Sequence, residues 1–443
     1  MAQESTSTTA DVVASAAIAE TGPNYRRYVL FLLVLAYTSS HVDRNILGIL
    51  IQPIKAELML TDTQLGFLSG IAFSFFYATL GIPIALLADR SNRRNIIAAA
   101  IAIWSGMTAV CGLAHNFWHL ALARIGVGIG EAGSSPPSLS IITDLYPREQ
   151  RSAAMAIYSL GTYFGAMLGL VIGGWVAHYY GWRMVFFIVG LPGLIIALLV
   201  RYTIAEPKRT MPIPAAGGLP GKSRVLDGFK HLWRMKTTRH LLVGGSLSAM
   251  FGYGSTIWAA AFLSRSHGFT SAEIGTIIGP ILGICGGLGS LSGGYLADYL
   301  AARDIRWNAW MVGIAKALAI PFFLCFYLVG NSTLAILCFI PATFFSAFSQ
   351  GPVFAMIQSL SPGSMRALNA AIMLFIFNLI GLGLGPQMIG IASDLLSGYA
   401  GEQSLRYALV LACGVGIWAS AHYYIAGGKL PVDTATAAKN GYG

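Results

Sequence analysis

Residues 61–95 read TDTQLGFLSGIAFSFFYATLGIPIALLADRSNRRN, and residues 270–304 read TSAEIGTIIGPILGICGGLGSLSGGYLADYLAARD. Laid on each other without a gap, Thr61, Gly66, Ala88, Asp89 and Arg94 meet Thr270, Gly275, Ala297, Asp298 and Arg303. A second block agrees: LYPREQRSAA (145–154) lies on LSPGSMRALN (360–369), so Leu145, Pro147 and Arg151 meet Leu360, Pro362 and Arg366. Two matches at nearly the same offset are hard to reach by chance. They imply parallel duplication of one unit, and the fold follows from what that unit contains.

The surrounding composition says what the unit is made of. Of the 443 residues, 55% are hydrophobic and 10% charged, against about 25% charged in a soluble domain. A bilayer can absorb that much apolar mass, and a helix needs roughly 20 apolar residues to cross it. Twelve runs qualify, near 28–54, 63–88, 95–114, 118–144, 152–178, 183–204, 240–264, 271–299, 307–329, 332–358, 368–396 and 404–426. The chain is therefore expected to be an all-α membrane protein of twelve transmembrane helices in two pseudo-symmetric six-helix halves. The expected division is a disordered tail (1–24), an N-terminal half (25–205), a linker (206–238), a C-terminal half (239–428) and a second tail (429–443). Residues 1–24 are rich in Ser, Thr and Ala and lack the apolar core of a signal peptide.

The formal net charge of +10 invites a nucleic-acid partner, and its distribution rejects one. Of 28 Lys and Arg residues, 21 fall on one side of the twelve spans. Lys55, Arg183, Arg265 and Arg406 fall on the other, and Arg44, Arg124 and Lys316 lie within spans. Basic loops stay cytoplasmic, so both termini are expected inside a bacterial inner membrane. The linker opens with Pro and Gly and ends in SRVLDGFKHLWRMKTTRH. There Val225, Leu226, Phe229, Leu232 and Trp233 share one helical face opposite Lys and Arg, as in a helix lying on an anionic leaflet.

Four ionisable residues within spans carry most of the functional argument: Asp43 and Arg44 in SSHVDRNILG, and Arg124 and Glu131 in LARIGVGIGEAGSSPPS. A charge at mid-bilayer costs about 2.5–3.5 kcal/mol, so it normally faces a cavity or a partner. Arg124 and Glu131 are seven residues apart and share a helix face, separated by roughly 10 Å along the axis. Asp43 and Arg44 are adjacent and point about 100° apart, so at least one reaches to the other helix. Asp43 beside Arg124 is one arrangement, and the pairing stays open. Guanidinium matches phosphate or carboxylate bidentately, which makes Arg44 and Arg124 candidates for an anionic head group. Burial favours a neutral carboxyl and a nearby arginine favours a charged one, which makes Asp43 and Glu131 candidates for proton coupling. The bland alternative is a permanent ion-pair network. Tyr77 and Trp258 complete the expected substrate-binding set, with packing alone as the alternative.

Other chemistries fail on spacing. GIGEAG (128–133) fits G-x-G-x-x-G, but no strand precedes it and it lies within a span. Its glycines are expected to allow close helix packing, with Pro136 and Pro137 bending the helix beyond Glu131. The eight His show no metal-binding grouping, and the five Cys read as small hydrophobes. No nucleophile–base set suggests an enzyme. No metal and no cofactor are expected.

The stretch ALLADRSNRR (85–94) resembles the loop 2–3 signature of the major facilitator superfamily, G-x-x-x-D-R/K-x-G-R/K, with Ala85 and Asn92 in place of Gly. Its second copy, GYLAD (294–298), keeps the Gly. The resemblance implies a major facilitator fold and a cytoplasmic gate built from Asp89, Arg90, Arg93, Arg94, Arg151, Asp298 and Arg366. DRN in helix 1, R-x-G-x-G-x-G-E-A-G-S-S-P in helix 4 and GWR (181–183) resemble the Spinster family. That implies a secondary transporter of a lysophospholipid or sphingosine-1-phosphate-like anion, driven by a proton gradient. The anion:cation symporters, which carry sugar acids and similar organic anions, are the rival reading. A non-transporting membrane receptor is a weaker one. The expected partners are the small anionic substrate and the bilayer, and the chain is expected to act as a monomer.

Overall fold

The structure, a computed structural model, describes residues 22–207 and 222–439. Twelve helical paths run through it. The N half holds α1 (Pro23–Leu58), α2 (Asp62–Ser69 continued by Ile71–Arg90), α3 (Arg93–Cys111), α4 (Phe117–Glu131 continued by Ser135–Leu145), α5 (Arg148–Tyr180) and α6 (Trp182–Thr203). A linker helix, Lys222–Arg234, follows. The C half begins with α7 (Lys236–His267) and α8 (Ser271–Pro280, Ile281–Cys285 and Gly286–Ala301). It continues with α9 (Trp307–Leu328), α10 (Ser332–Ser346 continued by Gln350–Ser359), α11 (Arg366–Ile376, Phe377–Leu384 and Gly385–Ala400) and α12 (Ser404–Lys439).

The matched residues of the repeat do matching jobs. Thr61 opens α2 with a capping box: its hydroxyl accepts from Gln64 N, while Gln64 accepts from Thr61 N at 2.9 Å. Thr270 opens α8 the same way with Glu273, at 2.8 Å. Each box satisfies two N–H groups that a helix start leaves orphaned. A Cβ on Gly66 would stand 2.7 Å from the Pro386 carbonyl oxygen of α11. One on Gly275 would stand 2.4 Å from the Leu170 carbonyl oxygen of α5. The two halves therefore meet at α2–α11 and α8–α5, each crossing possible only because a side chain is missing. Arg151 Nε donates to Tyr146 O at 3.0 Å, and Arg366 Nε donates to Ser361 O at 3.3 Å.

Among the described residues, eight helical stretches are long and apolar enough to cross a membrane, the last of them, Leu368–Lys439, taking in most of α11 and all of α12. Paths α1, α4 and α7 fall outside that set. The break after Glu131 leaves α4 in two short pieces, with Pro136 and Pro137 opening the second. Polar residues dilute α1 (Ser40, His41, Asp43, Arg44) and α7 (Ser246, Ser248, Ser255). Two of these three paths, α1 and α4, carry the four charges Asp43, Arg44, Arg124 and Glu131.

Some boundaries differ from expectation. Residues 429–439, expected as a tail, continue α12 as helix. Leu430 and Ala437 are buried there, and Asp433 accepts from Thr237 N at 2.7 Å, capping the start of α7. Path α7 begins at Lys236, inside the expected linker. The expected N-terminal tail lies, but for residues 22–24, outside the described residues.

The halves are fastened at the side opposite the basic loops. Asp62, at the start of α2, is 1% exposed. Its carboxylate accepts from Arg265 of α7 at 2.7 and 2.8 Å, from Lys55 at 2.5 Å and from Ser393 of α11 at 2.6 Å. In return, the backbone N–H groups of Asp62 and Thr63 donate to the Asp394 carboxylate of α11 at 3.1 and 2.7 Å. Arg265 Nε also donates to Gln52 of α1 at 2.8 Å. Charge-assisted bonds of this kind are about twice as strong as neutral ones. One apolar cluster runs through both halves, including Leu33, Ile46, Leu68, Phe262 and Ile278. A second, with Leu241, Val312, Ile357 and Leu430, joins the C half to Leu232 of the linker helix.

Candidate functional site

The site begins with helices that can approach closely. A Cβ on Gly165 of α5 would stand 2.4 Å from His41 Cβ of α1. On α4, a Cβ on Gly128 would stand 2.4 Å from the Phe73 carbonyl oxygen of α2, and one on Gly130 would stand 2.5 Å from Trp104 N of α3. The glycines of GIGEAG thus bring α4 against α2 and α3. The same turns carry Glu131 into the half's interior.

The four intramembrane charges come together there. Arg44 Nε donates to Glu131 Oε2 at 2.7 Å, joining α1 to α4. This settles the pairing that the sequence left open. The Arg44 guanidinium carbon lies 4.4 Å from the Tyr77 ring centroid and 5.1 Å from that of Phe73. The Arg124 guanidinium carbon lies 5.2 Å from the same Phe73 ring, and Arg124 Nε donates to Leu68 O at 3.4 Å. A cation over an aromatic face gains about 2 kcal/mol or more when desolvated, so Phe73 holds both guanidiniums in place.

Asp43 is 1% exposed, and neither carboxylate oxygen makes a hydrogen bond among the described residues. It lies within electrostatic reach of Glu131, Arg124 and Arg44 and faces Thr108 of α3. Glu131 Oε1 is likewise without a hydrogen-bond partner. An unpaired buried carboxylate oxygen is costly. Two carboxylates and two guanidiniums therefore hold unused capacity for a proton or an anion.

Tyr253 of α7 brings the C half to this cluster, within electrostatic reach of Arg44 and Tyr77. Sequence reading missed it, although the signal was present: the offset that carries Thr61 onto Thr270 carries Arg44 onto Tyr253. It also missed Phe73, whose role depends on two arginines from different helices. Trp258 takes a different place from the expected one. Its indole N–H donates to Pro386 O at 2.9 Å, and its ring is fully buried below Arg265. In this conformation it packs beneath the far-side fastening instead of lining a cavity.

Four of the expected gate residues, Arg93, Arg94, Arg151 and Arg366, make contacts within their own halves in this conformation. Arg93 is 1% exposed and binds Asp144 at 2.5 Å, Glu206 at 2.7 Å, Ser140 at 2.8 Å and Pro207 O at 2.9 Å. It ties α3 to α4 and to the end of α6. Arg94 donates from its backbone to Glu206 at 2.9 Å and from its guanidinium to Ile204 O at 3.2 Å. Arg90 and Asp298 are exposed. Arg151 and Arg366 clamp carbonyls of their own halves, as above. The Asp89 side chain lies outside the described residues.

A membrane protein of two pseudo-symmetric six-helix halves, fastened on one side around a buried charged cluster, belongs to the class of secondary transporters. Residues 33–386 match the Major Facilitator Superfamily, and the chain belongs to it. It is 32% identical to an MFS-type efflux pump of Mycolicibacterium smegmatis, over 88% of this chain and 90% of that one. It is 24% identical to a probable galactarate/D-glucarate transporter of Escherichia coli, over 87% and 89%. Among solved structures it resembles a bacterial homologue of the human lysosomal transporter Spinster, in an inward-facing and unoccupied conformation. The TM-score is 0.83 at 31% identity, covering 93% of this chain and 99% of that one. The Spinster resemblance read from helices 1 and 4 is borne out, and the protein is a transporter of this superfamily.

Proposed function

We propose that this transporter moves an anionic amphiphile, of the lysophospholipid or sphingosine-1-phosphate type, by alternating access coupled to protons. The observation that carries the reading is the Arg44–Glu131 pair beside the unpaired Asp43 carboxylate. An anionic head group and Glu131 compete for one guanidinium. When a proton neutralises Glu131, Arg44 is released to take a phosphate or carboxylate. When the anion leaves, Arg44 draws Glu131 back to its charged form. Binding and protonation are thereby linked at a single bond. Tyr77 and Phe73 shape the arginine's position, and Arg124 offers a second cation deeper in the N half. The basic side is assigned to the cytoplasm by its charge excess, with both termini inside. The lipid class rests on the resemblance of the helix 1 and helix 4 motifs to the Spinster family.

Sugar-acid transport is the second reading, and the galactarate/D-glucarate relative favours it. The same two arginines would serve a dicarboxylate. The test is flux of a labelled lysophospholipid and of glucarate in proteoliposomes, with and without an imposed pH gradient. Gradient-dependent lipid movement lost in Glu131→Gln supports the first reading. Glucarate uptake without lipid movement replaces it, and flux indifferent to the gradient removes the proton role.

A further inference from the structure

The linker helix, Lys222–Arg234, stands outside both halves and has no part in the charged cluster. Successive residues of a helix point about 100° apart, which divides this one into three edges. One edge docks on the C half. Leu232 is fully buried, and Gly228 packs against Leu368, Asn369 and Ile372 at the start of α11. On the same edge, the His231 ring nitrogen bonds Leu360 O at 3.2 Å, in the turn before Arg366. A second edge carries Leu226, Phe229 and Trp233, which are 51%, 41% and 47% exposed. The Phe229 and Trp233 rings stack with centroids 5.9 Å apart. The third edge carries Asp227, Lys230 and Arg234, all exposed.

The order of these edges is informative. Going round the helix, the exposed apolar edge lies between the docked edge and Lys230, with Arg234 next. An apolar face bordered by cations is the pattern of a helix half-sunk in an anionic leaflet. Its level fits as well. The elbow to α7 is one residue long, Met235, and the Thr238 hydroxyl donates to the Leu232 and Met235 carbonyls. The helix is thus held at the membrane entry of α7, among Lys236 and Arg239. Long side chains there reach phosphates while their stems remain on apolar ground.

We propose that the linker helix binds anionic lipid at the basic side and transmits that binding to α11. Phe229 and Trp233 sit among acyl chains, Lys230 and Arg234 hold lipid phosphates, and Leu232 with Gly228 steadies the inner end of α11. Because α11 is also the helix that Asp394 ties to α2 on the far side, leaflet charge biases the helix shared by both faces of the transporter. The inference does not depend on which substrate is carried.

The test is hydrogen–deuterium exchange on the full chain in nanodiscs of phosphatidylcholine alone or with phosphatidylglycerol. Each basic side chain near an anionic surface contributes about 1 kcal/mol, so exchange across 225–234 should slow by about fivefold per residue in the anionic discs. The double variant Lys230→Gln with Arg234→Gln should lose that slowing while matching wild type in phosphatidylcholine. Exchange at 366–376 should follow the linker. Equal protection in both lipids, or slowing that survives the double variant, overturns the lipid site. Slowing in the linker with no change at 366–376 overturns the transmission to α11.

Discussion

The two halves share a scaffold and divide the chemistry. The offset from Thr61 to Thr270 carries Asp43 and Arg44 onto Gly252 and Tyr253. The offset from Arg151 to Arg366 carries Arg124 and Glu131 onto Phe339 and Ser346. Capping boxes, crossing glycines and carbonyl clamps are kept in both copies, and all four charges are lost from the second. Even the break in α4 after Glu131 has its counterpart, since α10 turns to a 3-10 segment at Ala347–Ser349. There the one buried cation described in the C half, Lys316, donates to Ser346 O at 2.5 Å. Duplication thus preserved what positions helices against each other. The four charges of the Arg44–Glu131 cluster, which cost free energy in a bilayer, remain in one half.

The comparison can be broken most directly at the ion pair. Glu131→Gln leaves Arg44 facing a neutral partner in a buried site. Removing one member of such a pair costs about 3–5 kcal/mol, and gradient-driven flux should fall at least about 100-fold. The measurement is flux in proteoliposomes, with thermal stability as a check on folding. Retained coupling would mean that the N half holds these charges for structure alone.

The far-side fastening joins the halves and should respond next. Asp62→Asn removes the negative charge and one of the two acceptor oxygens that Arg265, Lys55 and Ser393 share, a change of about 3–5 kcal/mol against the fastened state. A cysteine placed at Gln387 should become reactive to a membrane-impermeant thiol reagent. No gain in reactivity would show that apolar packing alone keeps the halves together.

A milder test replaces the C half's counterpart of Arg44. Tyr253→Phe should raise the substrate KM by about fivefold, the worth of one hydrogen bond of about 1 kcal/mol, with kcat and pH dependence unchanged. Lys316→Met should leave flux and its pH dependence unaltered, and stability equal or slightly higher, because a buried ammonium is costly. Loss of gradient coupling in Lys316→Met would show that the charge work is shared between halves.

The smallest effect is expected at Glu57, at the far end of α1. Arg183, first, and the Trp182 indole N–H at 2.6 Å hold its carboxyl below the usual carboxylate range. The charged form is the one favoured by folding. Its stabilisation is present above the unfolded carboxyl pKa of about 4 and is lost as pH falls through the lower folded value. The group is largely exposed, so the contribution stays under about 1 kcal/mol. Melting curves of wild type and Glu57→Gln should differ slightly at neutral pH and converge in acid.

Helix number, duplication and the four charges were legible because each leaves a local mark: an apolar run, a matched block, an ionisable residue among apolar neighbours. Pairing was not. Arg44 to Glu131 spans 87 positions and depends on Gly128 and Gly130 letting α4 approach α2 and α3. The far-side fastening was harder still, since Asp62 and Asp394 look like ordinary loop and helix-end acids until the halves are brought together. The loop signature pointed to arginines at a gate, and Arg93 and Arg94 are found stitching the N half. A motif fixes residue type and place, whereas its partner depends on the conformation adopted.

The bond from Asp394 to the N–H groups of residues 62 and 63 has an evolutionary consequence. Its donors belong to the main chain, so no side-chain exchange at position 62 or 63, short of proline, deletes them. Selection can adjust that contact from one partner alone. Position 394 is therefore the place where related chains can drift in how firmly they hold shut without disturbing the repeat that builds them.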